Sequence, residues 1–176
     1  MKRMLAALVG LVVLGTLAGA QPRAFGVRAG WAGELSLQYT THEFQFLQVD
    51  LGCLNWGEDH NGFRTTITYN FIFSQPQWTS RGEWAWYAGP GAMLGVMHTQ
   101  PYNRSKDGER VEAHNYFLAA VTPVFGLEYT FWFPLQLSLD LRPPIGAQIG
   151  PGPDAGFFWD GIKFGFIPTL SVRYRF

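Results

Sequence analysis

The chain has 176 residues with equal numbers of acidic and basic side chains, and its zero formal net charge gives no basic surface of the kind nucleic acid requires. Charged residues are 15% of the chain, below the roughly 25% of soluble domains, while aromatic residues reach 16%, a poor composition for a domain solvated on all sides. The one cysteine, Cys53, excludes a disulfide scaffold.

Lys2 and Arg3 open the chain with positive charge, Met4 to Leu17 is almost entirely apolar, and Ala18-Gly19-Ala20 has the small-residue pattern of a cleavage site. These are the parts of a secretory signal in order. The apolar run is shorter than the ~20 residues a membrane helix needs, and no basic stop follows it. Residues 1–20 are therefore expected to be a signal peptide, with Gln21 the first mature residue and 21–176 one domain. Ala20 stands where a lipoprotein would need cysteine, so no lipid anchor is expected.

Beyond Gln21 the chain shows repeated two-residue alternation, the period of a strand with two different faces. Eight strands are expected. The first, near 24–31, turns Phe25, Val27, Ala29 and Trp31 outward and Gly26, Arg28 and Gly30 inward. The second (34–40) presents Leu35, Leu37 and Tyr39 outward, and the third (43–55) sets Leu47, Val49, Leu51 and Cys53 against Gln48, Asp50 and Gly52. The fourth (63–73) sets Ile67, Tyr69, Phe71 and Phe73 against Thr66, Thr68 and Asn70. The fifth (84–98) alternates from Trp84 to Val96 against Tyr87, Gly89, Gly91, Met93 and Gly95, with Pro90 suggesting a bulge. The sixth (116–132) sets Phe117 to Phe131 against Thr122, Gly126, Glu128 and Thr130. The seventh (135–149) sets four leucines, 135 to 141, against Gln136, Ser138, Asp140 and Arg142. The last faces Phe164, Phe166, Pro168, Leu170, Val172, Tyr174 and Phe176 one way, and Lys163, Thr169, Ser171, Arg173 and Arg175 the other.

An apolar face outside and a polar face inside is the pattern of a barrel in lipid. The expected fold is thus all-β, an eight-stranded antiparallel up-and-down transmembrane barrel. An even strand count puts both termini in the periplasm. Trp31–Glu34, Trp56–Gly62, 99–115 and 150–161 are then extracellular, and Thr40–His42, Ser74–Glu83 and Phe133-Pro134 periplasmic. The 99–115 segment, with Asn103 to Arg110, reads as a solvated loop, and it and 150–161 are the places for an extracellular ligand. All seven tryptophans fall near strand ends or connections, where amphipathic rings flank a membrane.

Arg28, Asp50, Glu128, Asp140, Arg142, Arg173 and Arg175 share the inward face and form candidate ion pairs. They imply a packed polar interior rather than an open pore, since eight strands enclose just enough room for side chains. No cofactor or metal is expected. His42 beside Glu43 and His60 beside Asp59 read as solvated loop pairs, and Cys53 faces outward. A lipid-modifying hydrolase would need Ser, His and an acid together; His98, Ser105, Glu109, Glu112 and His114 lie near one another in sequence without a nucleophile motif.

Two resemblances follow. The alternating strand ending in Tyr174 and Phe176 resembles the C-terminal signal by which the assembly machinery recognises outer-membrane barrels. Residues 84–92 (WAWYAGPGA), 124–131 (VFGLEYTF), 134–140 (PLQLSLD) and Pro143-Pro144 resemble small outer-membrane β-barrel proteins of the Bacteroidetes group, OmpA/OmpX-like in form. That resemblance implies the barrel and its lipid surroundings, and no assigned activity. Three functions stay open: a structural or surface-interaction barrel without catalysis, an embedded lipid-modifying enzyme, and a soluble lipocalin-like barrel with the opposite polarity.

Overall fold

The computed structural model describes residues 21–30, 32–55, 60–103, 110–151, 155–158 and 168–176. The expected signal peptide, Trp31, Trp56, Trp159, Ser105, Glu109, Phe164 and Phe166 lie outside them.

Fourteen strands are formed: β1 (Gln21–Ala29), β2 (Ala32–His42), β3 (Gln45–Asn55), β4 (His60–Ser74), β5 (Glu83–Gly89), β6 (Gly91–Thr99), β7 (Tyr102–Asn103), β8 (Arg110–Val111), β9 (His114–Val121), β10 (Val124–Thr130), β11 (Leu135–Leu141), β12 (Ile145–Ile149), β13 (Gly156–Phe158) and β14 (Thr169–Arg175). Proline, which has no N–H to give a ladder, accounts for three of the divisions. β5 and β6 part at Pro90, β9 and β10 at Pro123, and β11 and β12 at Pro143-Pro144. The pairing register is the same on both sides of each break: Thr68 faces Gly91 and Phe71 faces Ala88, Val121 faces Ala92 and Val124 faces Gly89, Val121 faces Ile145 and Phe125 faces Leu141. Each pair is therefore one long, interrupted strand.

Counted so, the described chain forms eight barrel strands, each antiparallel to its neighbours in sequence. The ring closes where β14 pairs with both β11 and β1, Leu135 and Phe25 each facing Tyr174. Closure removes the free edges that an open sheet would present.

Several boundaries move from the sequence reading. Strand one starts at Gln21, and the turn expected at Thr40–His42 lies at Glu43-Phe44 because β2 shifts register between Thr40 and His42. His42 is thus the last residue of β2 and His60 the first of β4, rather than loop residues. The sixth strand ends at Thr130, where Phe131 N donates to Leu135 O and the chain turns. The 99–115 connection, expected as a loop, carries the short β7–β8 ladder, and β13 in the 150–161 segment pairs with β12. The β7–β8 ladder continues the register of β6 and β9, whereas β13 lies beside β12 at residues that also pair with β9 and so belongs to the wall.

The two faces are opposite in character. Outside stand Phe25, Val27, Leu35, Leu51, Phe63, Phe71, Phe73, Leu94, Val96, Phe125, Leu139, Leu170, Val172 and Tyr174, all exposed. Inside, Arg28, Glu34, Asp50, Glu128, Asp140, Arg142 and Arg173 are buried with Gln38, Gln48, Gln136 and several hydroxyl residues. The interior also holds two apolar clusters: Phe46, Tyr87 and Val124, and, toward the loop end, Met93, Met97, Tyr116, Leu118 and Phe158. The sequence reading turns Met93 inward but gives no apolar cluster at this level.

Candidate functional site

The interior is built from cross-strand neighbours on the inward face. Arg28 of β1 lies opposite Glu34 of β2 and bonds to it; its Nη2 also reaches Asp140 Oδ1 of β11 at 2.5 Å. Arg142, just past β11, bonds to Asp50 of β3 and places Nε 2.9 Å from Asp140 Oδ1. Arg28 Nη1 lies 3.8 Å from Asp50 Oδ2. Two guanidinium groups and two carboxylates thus form one closed cluster in which every charge faces opposite charges. Such arrangements satisfy buried ions that burial alone would penalise. Gln48 Nε2 donates to Asp50 at 2.9 Å and to Ser36 Oγ at 3.1 Å.

Around this centre the same logic repeats. Arg64 donates through Nε to Glu34 Oε1 at 2.6 Å, extending the cluster to β4. Arg23 pairs with Glu128, which also accepts from Gln136 Nε2 at 3.0 Å. Arg23 further stacks 4.3 Å over the Phe46 ring. Arg173 differs in donating to hydroxyls, Nε to Ser36 Oγ at 2.9 Å and Nη1 to Ser138 Oγ at 2.7 Å.

Arg28 reaches Asp140 past Ser171 and Thr169 of β14, but at three other contacts that span one strand a glycine stands at the crossing. Arg173 reaches Ser36 over Gly26, Arg64 reaches Glu34 over Gly52, and Tyr87 donates to Asp140 Oδ2 at 3.0 Å over Gly126. A methyl group on Gly52 would come within 2.5 Å of Glu34 Cγ, and one on Gly126 within 2.4 Å of Tyr87 Cζ. Glycine is what lets long side chains lie flat against the inner wall.

Of the sequence candidates, Arg28, Asp50, Glu128, Asp140, Arg142 and Arg173 come together here. Arg175 stands at the rim instead. Its side chain is 39% exposed, lies 3.6 Å from the more exposed Glu83, and lines a cavity of about 260 Å³ with Arg23, Glu43, Glu128 and Phe176 at the barrel end that holds Gln21 and Phe176. β14 carries it past the level at which the wall encloses its contents. Tyr174 and Phe176 lie outside, rings 5.5 Å apart. Glu34, Arg64 and Arg23 were not among the candidates. Extending the alternation of Ser36 and Thr66 by one step would have found the first two, whereas Arg23 lies behind the β1 register shift between Pro22 and Ala24.

Near the loop end, His98 Nδ1 lies 2.7 Å from Asn115 Oδ1 and His114 Nδ1 2.5 Å from the Glu112 carbonyl. No group of three His, Cys, Asp or Glu residues suited to a metal occurs among the described residues. Cys53 is exposed on the outer face.

Fold and interior together define a closed eight-stranded up-and-down antiparallel β-barrel with a charged, occupied lumen. No family model matches the chain, and no curated protein matches it. Among solved structures it is similar to the N-terminal β-barrel domain of Pseudomonas aeruginosa OprF, at 17% identity over 89% of this chain and 99% of that one, with a TM-score of 0.46. The ring of pairings in the chain itself, not that likeness, defines the fold.

Proposed function

We propose that the protein is an integral outer-membrane β-barrel whose role is structural or one of surface interaction, without catalysis. The observation that carries this reading is the inverted polarity. Leu139 is 50% exposed while its neighbour Asp140 is 1% exposed, and the same inversion runs around the barrel. A water-soluble protein would place these the other way; a hydrocarbon solvent rewards this arrangement and demands the closed backbone ring.

Aromatic placement supports the same reading. At the barrel end that holds Gln21 and Phe176, rings run in contact from Phe73 and Phe125 through Trp86, Trp78, Trp84 and Tyr129 to Phe131, Trp132 and Phe133. Such rings prefer a membrane–water boundary. On this reading residues 1–20 are a signal peptide, both termini face the periplasm, lipid surrounds the wall, and the assembly machinery reads Tyr174 and Phe176. The segments 99–115 and 150–161 would present any ligand-binding surface outside the cell. The soluble lipocalin-like alternative requires Leu170 and Val172 inside and Arg173 outside, the reverse of their burial.

Fractionation of the producing cell tests the reading. The protein is expected in the outer-membrane fraction after a carbonate wash; recovery in the soluble periplasmic fraction would overturn it.

A further inference from the structure

We propose that the barrel wall has a lateral window between its sixth and seventh strands, through which an acyl chain enters the apolar part of the interior. The proposal rests on the membrane reading above and adds a ligand class to it.

The window follows from register. In an antiparallel pair every second opposed position exchanges two backbone hydrogen bonds. Phe131 N donates to Leu135 O, so odd-numbered residues of the sixth strand bond the seventh, while Thr122 N donates to Gly91 O on the other side at 2.9 Å. Val121 faces Ile145 and Phe125 faces Leu141 in that series. The position between them belongs to Pro123 and Pro143. Neither has an N–H, so neither bond can form, and the two carbonyls have no donor from the opposite strand. The ladder is open from Val121 to Phe125, about 13 Å at the rise of a strand. One proline would remove a single bond; two prolines facing each other at a bonding position remove both, in a seam whose register is otherwise unbroken. Pro90, alongside on the fifth strand, accepts from Tyr69 N at 2.9 Å but returns nothing. In hydrocarbon such unpaired backbone is costly, which makes this the weakest point of the seam between the sixth and seventh strands.

What lies on each side fits an acyl chain. Outside, Val121, Phe125 and Ile145 rim the gap, exposed to the bilayer. Inside, one step toward the loop end, Met93, Leu118 and Phe158 pack as an apolar cluster against Ala120. The wall there carries two small residues opposite one another, Gly146 and Ala120. On the other edge Arg142 is held by Asp50 and Asp140, which turns an apolar chain toward the methionines.

The test is photocrosslinking of the full chain in phosphatidylcholine vesicles whose lipid carries a diazirine within one acyl chain, with adducts located by mass spectrometry. Adducts are expected on outward Val121, Phe125 and Ile145 and also on inward Met93, Met97 or Leu118. Pro123→Ala/Pro143→Ala restores both donors; it should keep the outward adducts and lose the inward ones, and Pro123→Ala alone should reduce them. Inward adducts seen only with a diazirine-bearing free fatty acid would identify the acid, rather than the lipid, as the entering chain. Inward adducts absent with either probe, or unchanged in the double variant, would overturn the window. Absence of outward adducts too would overturn the membrane reading itself. Heat-modifiable gel mobility of each variant confirms that it has folded.

Discussion

The Tyr87 hydroxyl donates to Asp140 across an intervening strand, and it can do so because Gly126 leaves the space its ring occupies. The row Tyr87–Gly126–Asp140 couples the fifth and seventh barrel strands through the lumen, beyond what backbone ladders achieve. Gly126→Ala is expected to displace the ring and cost about 1–3 kcal/mol, as overpacking does. Shortening the ring as well, in Gly126→Ala/Tyr87→Leu, should recover part of that loss. Urea midpoints for refolding into vesicles measure both.

Asp140 is the hub of the interior, bound by Arg28, Arg142 and Tyr87. Asp140→Ala leaves two buried cations short of a partner and should cost roughly 3–5 kcal/mol. Arg28→Met/Asp140→Leu removes the pair together and should cost less than the sum of its single changes. A double-mutant cycle on the same unfolding equilibrium gives the coupling.

Arg175 provides the contrast. Its contact with Glu83 is exposed to solvent at the rim. Arg175→Ala should change stability by less than about 1 kcal/mol, and high salt should erase even that difference in the same assay.

The alternation made the wall legible: Leu135 to Arg142 places each leucine and each polar residue on the face it occupies, because a period of two leaves only the choice of which face is wet. Pairings inside were not legible. Arg28 and Asp140 are 112 residues apart, and only the closed ring brings them together. The glycines at 26, 52 and 126 were visible, but that each lies under a particular side-chain contact depends on register across three strands. Pro90 reads as a bulge from the sequence, whereas the opposition of Pro123 and Pro143 depends on the register between the sixth and seventh strands. The apolar cluster around Met93 and Leu118 escaped because its alternation partners are equally apolar, so neither face announces itself.

A lumen crossed by Arg28, Asp50, Asp140 and Arg142, each no more than 6% exposed, has no continuous water path at that level. The reconstituted protein should give no steady single-channel current in planar bilayers. Asp50→Ala/Arg142→Ala, which removes two of the four groups, is the variant in which current should first appear.

The outer face allows a sharper distinction. Leu139→Arg puts a charge at the middle of an outward strand. In a membrane barrel this should cost about 2–4 kcal/mol near the bilayer centre; for an exposed residue in water it should be close to neutral. Vesicle refolding yield and urea midpoint measure it.

The central claim is that this ring of strands is folded in a membrane with its charges inside. Heat-modifiable gel mobility of the full chain refolded in phospholipid vesicles tests it most directly. The account predicts that the unboiled sample migrates as a compact, dodecyl-sulfate-resistant species, and that boiling shifts it to the position of the unfolded chain. Identical migration before and after boiling, with the protein left behind when the vesicles are floated, would contradict it.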